Sequence, residues 1–268
     1  MPADLAGRVA IVTGAGRGLG RSIALGLARA GAQVIATVAQ SRAEIEEVAR
    51  EGRGAVVPVI ADVANETDCA ETVDEALKRF GRLDIIVNNA GRGMKYVSSA
   101  YPQPPIRFWE TDPEAWRQVI DTNVNGPFFM AHAAAPHMMK AGWGRIINMS
   151  TSYNTMRRPT YTPYGPSKAA LESETLIWAQ DLHGTGVTVN AILPGGVALT
   201  GFIPKDFPEA EKKLLLDPDM IVPPTLFLAS TESDGITGKR FDARHWRTDL
   251  PPKEAAELCA RDAGAYER

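Results

Sequence analysis

Short apolar stretches alternate with longer amphipathic stretches along most of the chain. The apolar stretches read RVAIVT, AQVIATVA, GAVVPVIADV, LDIIVNNAG, GRIINMS and GVTVNAIL. They scarcely alternate with polar residues, which is typical of strands covered on both faces. Leu19, Ile23 and Leu27 recur at intervals of four residues and predict a helix that packs one face onto a sheet. Because the connections are short, the pattern predicts an α/β fold built on a doubly wound parallel sheet with helices on both faces.

Two segments interrupt this alternation, and both follow strand ends, where an open parallel sheet binds its ligand. Residues 91–112 are rich in Pro and aromatic side chains, which predicts either an apolar substrate wall or packing against a neighbouring subunit. Residues 195–224 carry Gly and Pro at both ends around a short amphipathic stretch, as a lid would. Residues 247–268 form a tail with a predicted short helix. The aromatic residues of the first segment are Tyr96, Tyr101, Phe108 and Trp109.

Length and charge narrow the possible partners. The 268 residues suit one large domain, residues 1–268, with an ample core. A net charge of −3 provides no positive field for nucleic acid or an anionic membrane.

The two cysteines, Cys69 and Cys259, have no metal-ligand spacing, so we expect reduced thiols and no metal. No leader or membrane-spanning run is visible, which predicts a cytoplasmic protein.

A glycine cluster, TGAGRGLG, lies between the first predicted strand and helix. At such a junction the free N–H groups of a helix N-terminus receive a diphosphate, and glycine lets the backbone approach it. A tight turn alone is the alternative interpretation. The spacing Gly-x-x-x-Gly-x-Gly resembles that of the short-chain dehydrogenase/reductase family. The candidates for cofactor binding here are Gly14, Gly16, Arg17, Gly18, Leu19 and Gly20.

One tyrosine has the environment that proton transfer requires. A tyrosine hydroxyl has an unperturbed pKa of about 10, so a catalytic tyrosine needs a cation nearby. Among the three tyrosines at 153, 161 and 164, only Tyr164 has a lysine four residues later, Lys168, in a stretch with the pattern of a helix. A solvated helix face is the alternative for such a pair. The tyrosine hydroxyl and the lysine ammonium are therefore candidate catalytic groups.

Further motifs extend the resemblance over roughly residues 5 to 200. NNAG ends the fourth strand, Asn123 follows in DTNVNG, and INMSTS ends the fifth strand. In order and spacing these motifs resemble the short-chain dehydrogenase/reductase family, which implies a Rossmann-type fold and hydride transfer between a nicotinamide cofactor and a carbonyl or secondary alcohol. The resemblance implies that Tyr164 transfers the proton, that Lys168 lowers its pKa and binds the nicotinamide ribose, and that Asn123 holds a relay water. It also implies a homo-oligomer, a tetramer or a dimer.

The family's catalytic serine has no direct counterpart. Its position falls on Thr151, which carries the same donor and acceptor. Ser152 is the second candidate, because a one-residue difference in the following loop would move the role. On a strand, Ser150 and Ser152 would share a face that Thr151 does not. A weakened or lost catalytic hydroxyl is the remaining alternative.

The cofactor is predicted to be NADP, with NAD possible. The second strand ends in Val38 and Ala39, where a carboxylate would otherwise bind the ribose of NAD. Arg17 and Arg42 would instead meet a 2′-phosphate, although Arg42 could merely open a solvated helix. The resemblance implies further cofactor contacts, of which only that of Thr200 is doubtful. These contacts are Asp62, Val63, Asn89, Ala90, Gly91, Pro194, Gly195, Val197 and Thr200.

Two arginines bear on the substrate and two alternatives bear on the function. Arg157 and Arg158 lie between the candidate hydroxyls and Tyr164, so they would meet a substrate carboxylate or phosphate, or be surface charges. A catalytically weak or non-catalytic NAD(P)-binding regulatory protein on the same fold is one alternative. A lyase or isomerase on the same scaffold is the other. The intact tyrosine, lysine and asparagine favour an oxidoreductase.

Overall fold

A computed structural model describes residues 4–98, 105–198 and 215–264. Within these ranges eight strands form one sheet in the order β3-β2-β1-β4-β5-β6-β7-β8. The strands are Val9–Val12 (β1), Gln33–Val38 (β2), Val56–Ile60 (β3), Ile85–Asn88 (β4), Gly144–Met149 (β5), Val187–Leu193 (β6), Lys239–Asp242 (β7) and Ala260–Asp262 (β8). The helices are Gly18–Arg29 (α1), Arg42–Glu51 (α2), Glu66–Phe80 (α3), Pro113–Ile120 (α4), Gly126–Ala141 (α5), Tyr153–Met156 (α6), Tyr164–Asp181 (α7), Val222–Ala229 (α8) and Pro252–Cys259 (α9).

The order of the strands confirms the predicted doubly wound sheet. β1 to β7 are parallel, and β8 pairs antiparallel with β7. The chain builds β1, β2 and β3 outward and then returns to place β4 beside β1. The strand order therefore reverses between β1 and β4, and a ligand of such a sheet binds beyond the carboxyl ends of the strands there.

Two apolar cores lie on the two faces of this sheet, which explains the nearly continuous apolar strands. Along β1, Ala10 and Val12 pack into one core, with residues of α1, α2, α8 and α9. Val9 and Ile11 pack into the other, with residues of α3, α5 and α7. Successive side chains of a strand point to opposite faces, so burial of both faces requires apolar residues at both parities.

Two predicted boundaries need correction. The tail does contain a helix, α9, but that helix ends at Cys259 and the chain continues as the strand β8, paired with β7. The predicted lid extends too far, because Ile221 is fully buried and α8 already begins at Val222 and contacts α1. Its central part, residues 199–214, lies outside the described residues.

Asn123 lies in a single π-helical turn, Asp121–Asn125, between α4 and α5. Such turns displace the local hydrogen-bond ladder and occur frequently at functional sites. Among all helices of the described ranges, none is long and apolar enough to cross a membrane.

Candidate active site

A cavity of about 870 Å³ lies at the carboxyl ends of the parallel strands. It brings together most of the predicted site residues: residues 14, 16–20, 62–63, 89–91, 151–152, 164, 168, 194–195 and 197 all line it. Asn123 lies directly behind its wall, and Thr200 lies outside the described residues. Arg42 is the predicted contact that the structure does not bring to the cavity.

The glycine turn is shaped to admit a bound group close to the backbone. Gly14 has a φ of +63°, a conformation that side chains other than glycine rarely adopt. A Cβ on Gly20 would lie 2.3 Å from both the Gly14 carbonyl oxygen and Asn89 Nδ2, so only glycine fits. Among the described residues, no side chain caps the start of α1, and its first turn contains no acid. The N–H groups there are therefore available to an anion such as a diphosphate.

Asn89 stabilises this turn from behind. Its Nδ2 donates to the carbonyl oxygens of Thr13 at 2.8 Å and of Gly14 at 3.1 Å. The Thr13 hydroxyl in turn accepts from the backbone N–H groups of Asn89 and Ala90, each at 3.0 Å. Asn89 lines the cavity, but its side-chain donors are directed at the turn. It holds β4 and the glycine turn together.

The ends of β2 and α2 show a charge arrangement that the sequence reasoning missed. Arg17 lines the cavity, and its Nη1 lies 3.3 Å from Glu44 Oε1, which lines the cavity as well. Arg42 is exposed and pairs instead with Glu46, one turn further along α2, at 3.7 Å. Glu44 lies in the first turn of α2, from which a side chain reaches back to the strand end. The position of Glu44 in the first turn of a predicted helix is the sequence signal that could have identified it.

Lys95, in the 3₁₀ turn after β4, was also missed. It lines the same cavity. Burial, and then the nearby charge of Arg17, lowers the pKa of Lys95 below its ordinary value. Lys95 reaches the cavity through the conformation of the loop alone, so its spacing in the sequence did not predict this position.

The structure brings Thr151 to Tyr164. Tyr164 opens α7, and the Thr151 side chain lies close enough to its hydroxyl to lower the pKa of Tyr164. Burial has the larger effect and raises the pKa of Tyr164 to about 12. The hydroxyl of Ser152 turns to α6 instead, where it accepts from the Thr155 N–H at 3.2 Å and lies 2.9 Å from the Thr155 hydroxyl. Ser150 turns away towards Glu172.

Lys168, one turn after Tyr164, is only 4% exposed. Its Nζ donates to the carbonyl oxygen of Met149 at 2.7 Å, which fixes the ammonium at the end of β5. Burial lowers the pKa of Lys168 to about 8, and the charge of Glu172 partly opposes this shift.

Asn123 is fully buried, and its side chain is engaged within the protein. Its Nδ2 donates to the Arg92 carbonyl oxygen and to the Ser167 hydroxyl, each at 3.0 Å. Its Oδ1 accepts from the Arg92 N–H at 2.8 Å. Both hydrogens of the Asn123 side-chain amide are therefore donated within the protein. A relay water bound here would have to donate its own hydrogen bond to an oxygen atom. Asn123 thus ties the loop after β4 to the start of α7.

The aromatic and basic residues near the substrate loops separate into two groups. Tyr96, Tyr161 and Arg158 line the cavity, with the Arg158 guanidinium 4.7 Å from the centre of the Tyr161 ring. Arg157 does not line it and lies over the Tyr153 ring. Phe108 and Trp109 are exposed and pack edge-to-face on each other. Tyr101 lies outside the described residues.

Comparisons with known proteins agree with this fold. Residues 8–210 match the family model described as short chain dehydrogenase. A short-chain type dehydrogenase/reductase of Picea abies is 38% identical over 253 residues, which cover 88% of this chain and 90% of that protein. An NADPH-dependent aldehyde reductase-like protein, chloroplastic, of Arabidopsis thaliana is 32% identical over 89% of this chain and 93% of its own.

A solved structure is similar throughout the sheet. The 3-ketoacyl-(acyl-carrier-protein) reductase of Brucella melitensis, complexed with NADH, is 31% identical and superposes with a TM-score of 0.79. The match covers 89% of this chain and 97% of that one. The fold is thus that of one family.

Proposed function

The chain belongs to the short-chain dehydrogenase/reductase family of oxidoreductases, and from that premise we propose hydride transfer between NADP(H) and a carbonyl compound or secondary alcohol. Tyr164 is the general acid/base in this proposal. The observation that carries it is the presence of Tyr164, Thr151 and Lys168 in the same cavity as the glycine turn. A proton donor and a diphosphate cradle in one cavity are what nicotinamide-dependent reduction requires.

The residues of the cavity fit a nicotinamide dinucleotide. The N–H groups at the start of α1 would bind the diphosphate, because among the described residues no side chain occupies them. Asp62 and Val63 would border the adenine, and Lys168 would bind the nicotinamide ribose. Pro194, Gly195 and Val197 would contact the carboxamide. When bound, the cofactor supplies or accepts the hydride.

In the reducing direction Tyr164 is the proton donor. Because burial raises its pKa to about 12, the hydroxyl keeps its proton at neutral pH. A protonated hydroxyl donates to a carbonyl oxygen as negative charge develops there. The Thr151 hydroxyl, which lowers the pKa of Tyr164, stabilises the resulting phenolate. Lys168, held at Met149, contributes positive charge while it remains protonated, below about pH 8.

The preference for NADP(H) rests on the adenosine end of the cavity. Val38 and Ala39 line it where NAD would find a carboxylate, and Arg17 provides a guanidinium for a 2′-phosphate. Glu44 pairs with that guanidinium and would repel the phosphate, so it reduces the preference. The Arabidopsis relative is named for NADPH dependence, whereas the Brucella reductase was crystallised with NADH.

The substrate end of the cavity carries positive charge. Arg92 and Arg158 line it, while the acidic residues found among the described lining residues, Glu44 and Asp62, lie towards the adenosine end. A carbonyl compound that also bears a carboxylate or phosphate fits this distribution. The non-catalytic alternative predicts cofactor binding without turnover.

Absorbance of the reduced cofactor tests the proposal. Purified protein is mixed with NADPH or NADH and with ketones and aldehydes, each presented as a neutral compound and as its carboxylate-bearing analogue. We expect substrate-dependent oxidation of the cofactor, faster with NADPH, that is lost in Tyr164→Phe. Binding of NADPH with no turnover of any compound would support the regulatory alternative instead.

A homo-oligomer is part of the same proposal. Trp116 on α4, Phe128 on α5 and Ile177 on α7 are large apolar side chains that are exposed, and α4 and α7 contact each other. Exposed apolar surface of this kind marks interaction sites. Light scattering of the purified protein should give the mass of a dimer or a tetramer.

A further inference from the structure

A buried ion pair lies directly behind the candidate catalytic hydroxyls. Glu172 on α7 and Arg240 on β7 have side chains that are only 1% and 9% exposed, and Arg240 Nε donates to Glu172 Oε1 at 3.1 Å. Burying two charges is costly unless each is paired and hydrogen-bonded, so such pairs contribute little to stability overall. The remaining contacts of this pair indicate what it does.

Both charges hold the end of β5. The Ser150 hydroxyl donates to Glu172 Oε1 at 2.5 Å, and Arg240 Nη2 donates to the Thr151 carbonyl oxygen at 2.8 Å. The backbone on either side of the Ser150–Thr151 peptide is therefore fixed from behind. The hydroxyl of Thr151 meets Tyr164.

The same pair also fixes the helix that carries the proton donor. Glu172 lies one turn after Lys168, which itself lies one turn after Tyr164, all on α7. Glu172 therefore links the catalytic stretch of α7 to the strand end that carries Thr151. Its charge also raises the pKa of Lys168 against the effect of burial.

The C-terminal tail closes the network. The Gly264 N–H donates to Glu172 Oε2 at 3.3 Å, and the Arg240 guanidinium lies 3.9 Å from the centre of the Tyr153 ring. The Tyr153 hydroxyl donates to the Asp262 carbonyl oxygen at 3.4 Å. The ion pair is thus enclosed by α6, α7, β7 and the residues around β8.

We propose that Glu172 and Arg240 are positioning residues that hold the Thr151 hydroxyl against Tyr164. The inference rests on the proposed function, because the positioned hydroxyls are those of the proposed reaction. Catalytic groups displaced by about 1 Å lose on the order of a hundredfold in rate. The pair therefore acts chiefly on the turnover number, because neither Glu172 nor Arg240 is among the residues that line the cavity.

The principal test is the double variant Glu172→Leu/Arg240→Met, which removes both charges and leaves neither unpaired. It should fold, as judged by circular dichroism and thermal unfolding, because apolar replacement of a whole buried pair is tolerated. We expect kcat to fall roughly ten- to a hundredfold, with the Kd for NADPH within about twofold of wild type. Its crystal structure should show a longer distance between Thr151 Oγ1 and Tyr164 Oη than the wild-type crystal structure does.

A matched control lies at the opposite end of β5. Arg145 is equally buried, pairs with Asp234 and donates to the Ser230 carbonyl oxygen at 3.1 Å. The double variant Arg145→Met/Asp234→Leu removes one buried charge of β5 together with its partner, whose side chain is 59% exposed. It should leave kcat within about twofold of wild type, because none of these contacts reaches Thr151.

A conservative variant separates positioning from folding. Arg240→Lys keeps the charge balance, but one ammonium cannot reproduce both the Glu172 and the Thr151 contacts of the guanidinium. It should fold and give a kcat between those of wild type and the Glu172→Leu/Arg240→Met variant. A wild-type kcat in Arg240→Lys would contradict the proposal even if the double variant failed to fold.

The two proposals fail in distinguishable ways. A folded Glu172→Leu/Arg240→Met variant with wild-type kcat and an unchanged distance between Thr151 Oγ1 and Tyr164 Oη would overturn the positioning role alone. Absence of turnover in the wild-type protein would overturn the proposed function. The distance between Thr151 Oγ1 and Tyr164 Oη in the variant crystal structure would still decide whether the pair positions that hydroxyl.

Discussion

Removal of the Thr151 hydroxyl tests which of two adjacent side chains assists Tyr164. Thr151→Ala deletes the hydroxyl beside Tyr164, and with it the effect that lowers the pKa of Tyr164. Loss of one preorganised donor to a developing oxyanion costs roughly 10²- to 10³-fold in kcat, or about 3–4 kcal/mol. We therefore expect a decrease of that size in Thr151→Ala.

Two neighbouring variants calibrate this expectation. Thr151→Ser keeps the hydroxyl and loses only the methyl group, so its kcat should stay within about threefold of wild type. Ser152→Ala loses the cap of α6, which is formed with the Thr155 N–H at 3.2 Å. Loss of such a cap costs about 1 kcal/mol of folding free energy and does not touch Tyr164.

The assay is steady-state oxidation of NADPH at saturating cofactor with the best carbonyl substrate, beside thermal unfolding of each variant. The expected result is a large loss of kcat in Thr151→Ala alone and a small loss of stability in Ser152→Ala. The reasoning would be refuted if Ser152→Ala lost as much kcat as Thr151→Ala, or if Thr151→Ala kept wild-type kcat.

Two further predictions concern cofactor choice and pH. Glu44→Gln frees Arg17 from an exposed ion pair worth at most about 1 kcal/mol, so the ratio of kcat/KM for NADPH to that for NADH should rise two- to fivefold. Arg17→Gln should lower this ratio. Arg42→Gln should leave it unchanged, because Arg42 lies outside the cavity and pairs with Glu46. A decrease in Glu44→Gln would show that this carboxylate does not oppose the 2′-phosphate. Burial raises the pKa of Glu174 to about 7, so the folded state binds the Glu174 proton more tightly than the unfolded state does. The stability that this tighter proton binding contributes is therefore lost as the pH rises from about 4.5 through 7. Glu174→Gln should therefore raise the melting temperature relative to wild type at pH 8 more than at pH 5, and an equal change at both pH values would contradict this.

The fold was predictable because its signals are local and repeated. The sequence has continuous apolar strands, a helix with apolar residues at intervals of four, and short connections. Together these features indicate a parallel sheet with both faces covered. The glycine turn and the Tyr164–Lys168 spacing could likewise be found, since each depends on residues close together in sequence. The edge strand β8 could not, because it consists of only three residues, Ala260–Asp262, which are too few to show a strand pattern.

The finer parts of the site depend on contacts between distant segments. Whether Thr151 or Ser152 faces Tyr164 is decided by how β5 ends and α6 begins, which spacing alone leaves open. Arg42 had a plausible charge but points along α2 to Glu46. Glu172 and Arg240 are 68 residues apart, and only the adjacency of α7 and β7 to the end of β5 brings them together.

Single-turnover reduction by Tyr164→Phe tests the central claim most directly. The variant keeps the aromatic ring and removes only the proton that the hydroxyl would donate, so its Kd for NADPH should remain within about threefold of wild type. With cofactor and carbonyl substrate saturating, we expect hydride transfer to slow by at least about 10²-fold, the lower end of the usual contribution of a general acid. Full wild-type rates in Tyr164→Phe would contradict the assignment of this hydroxyl as the proton donor.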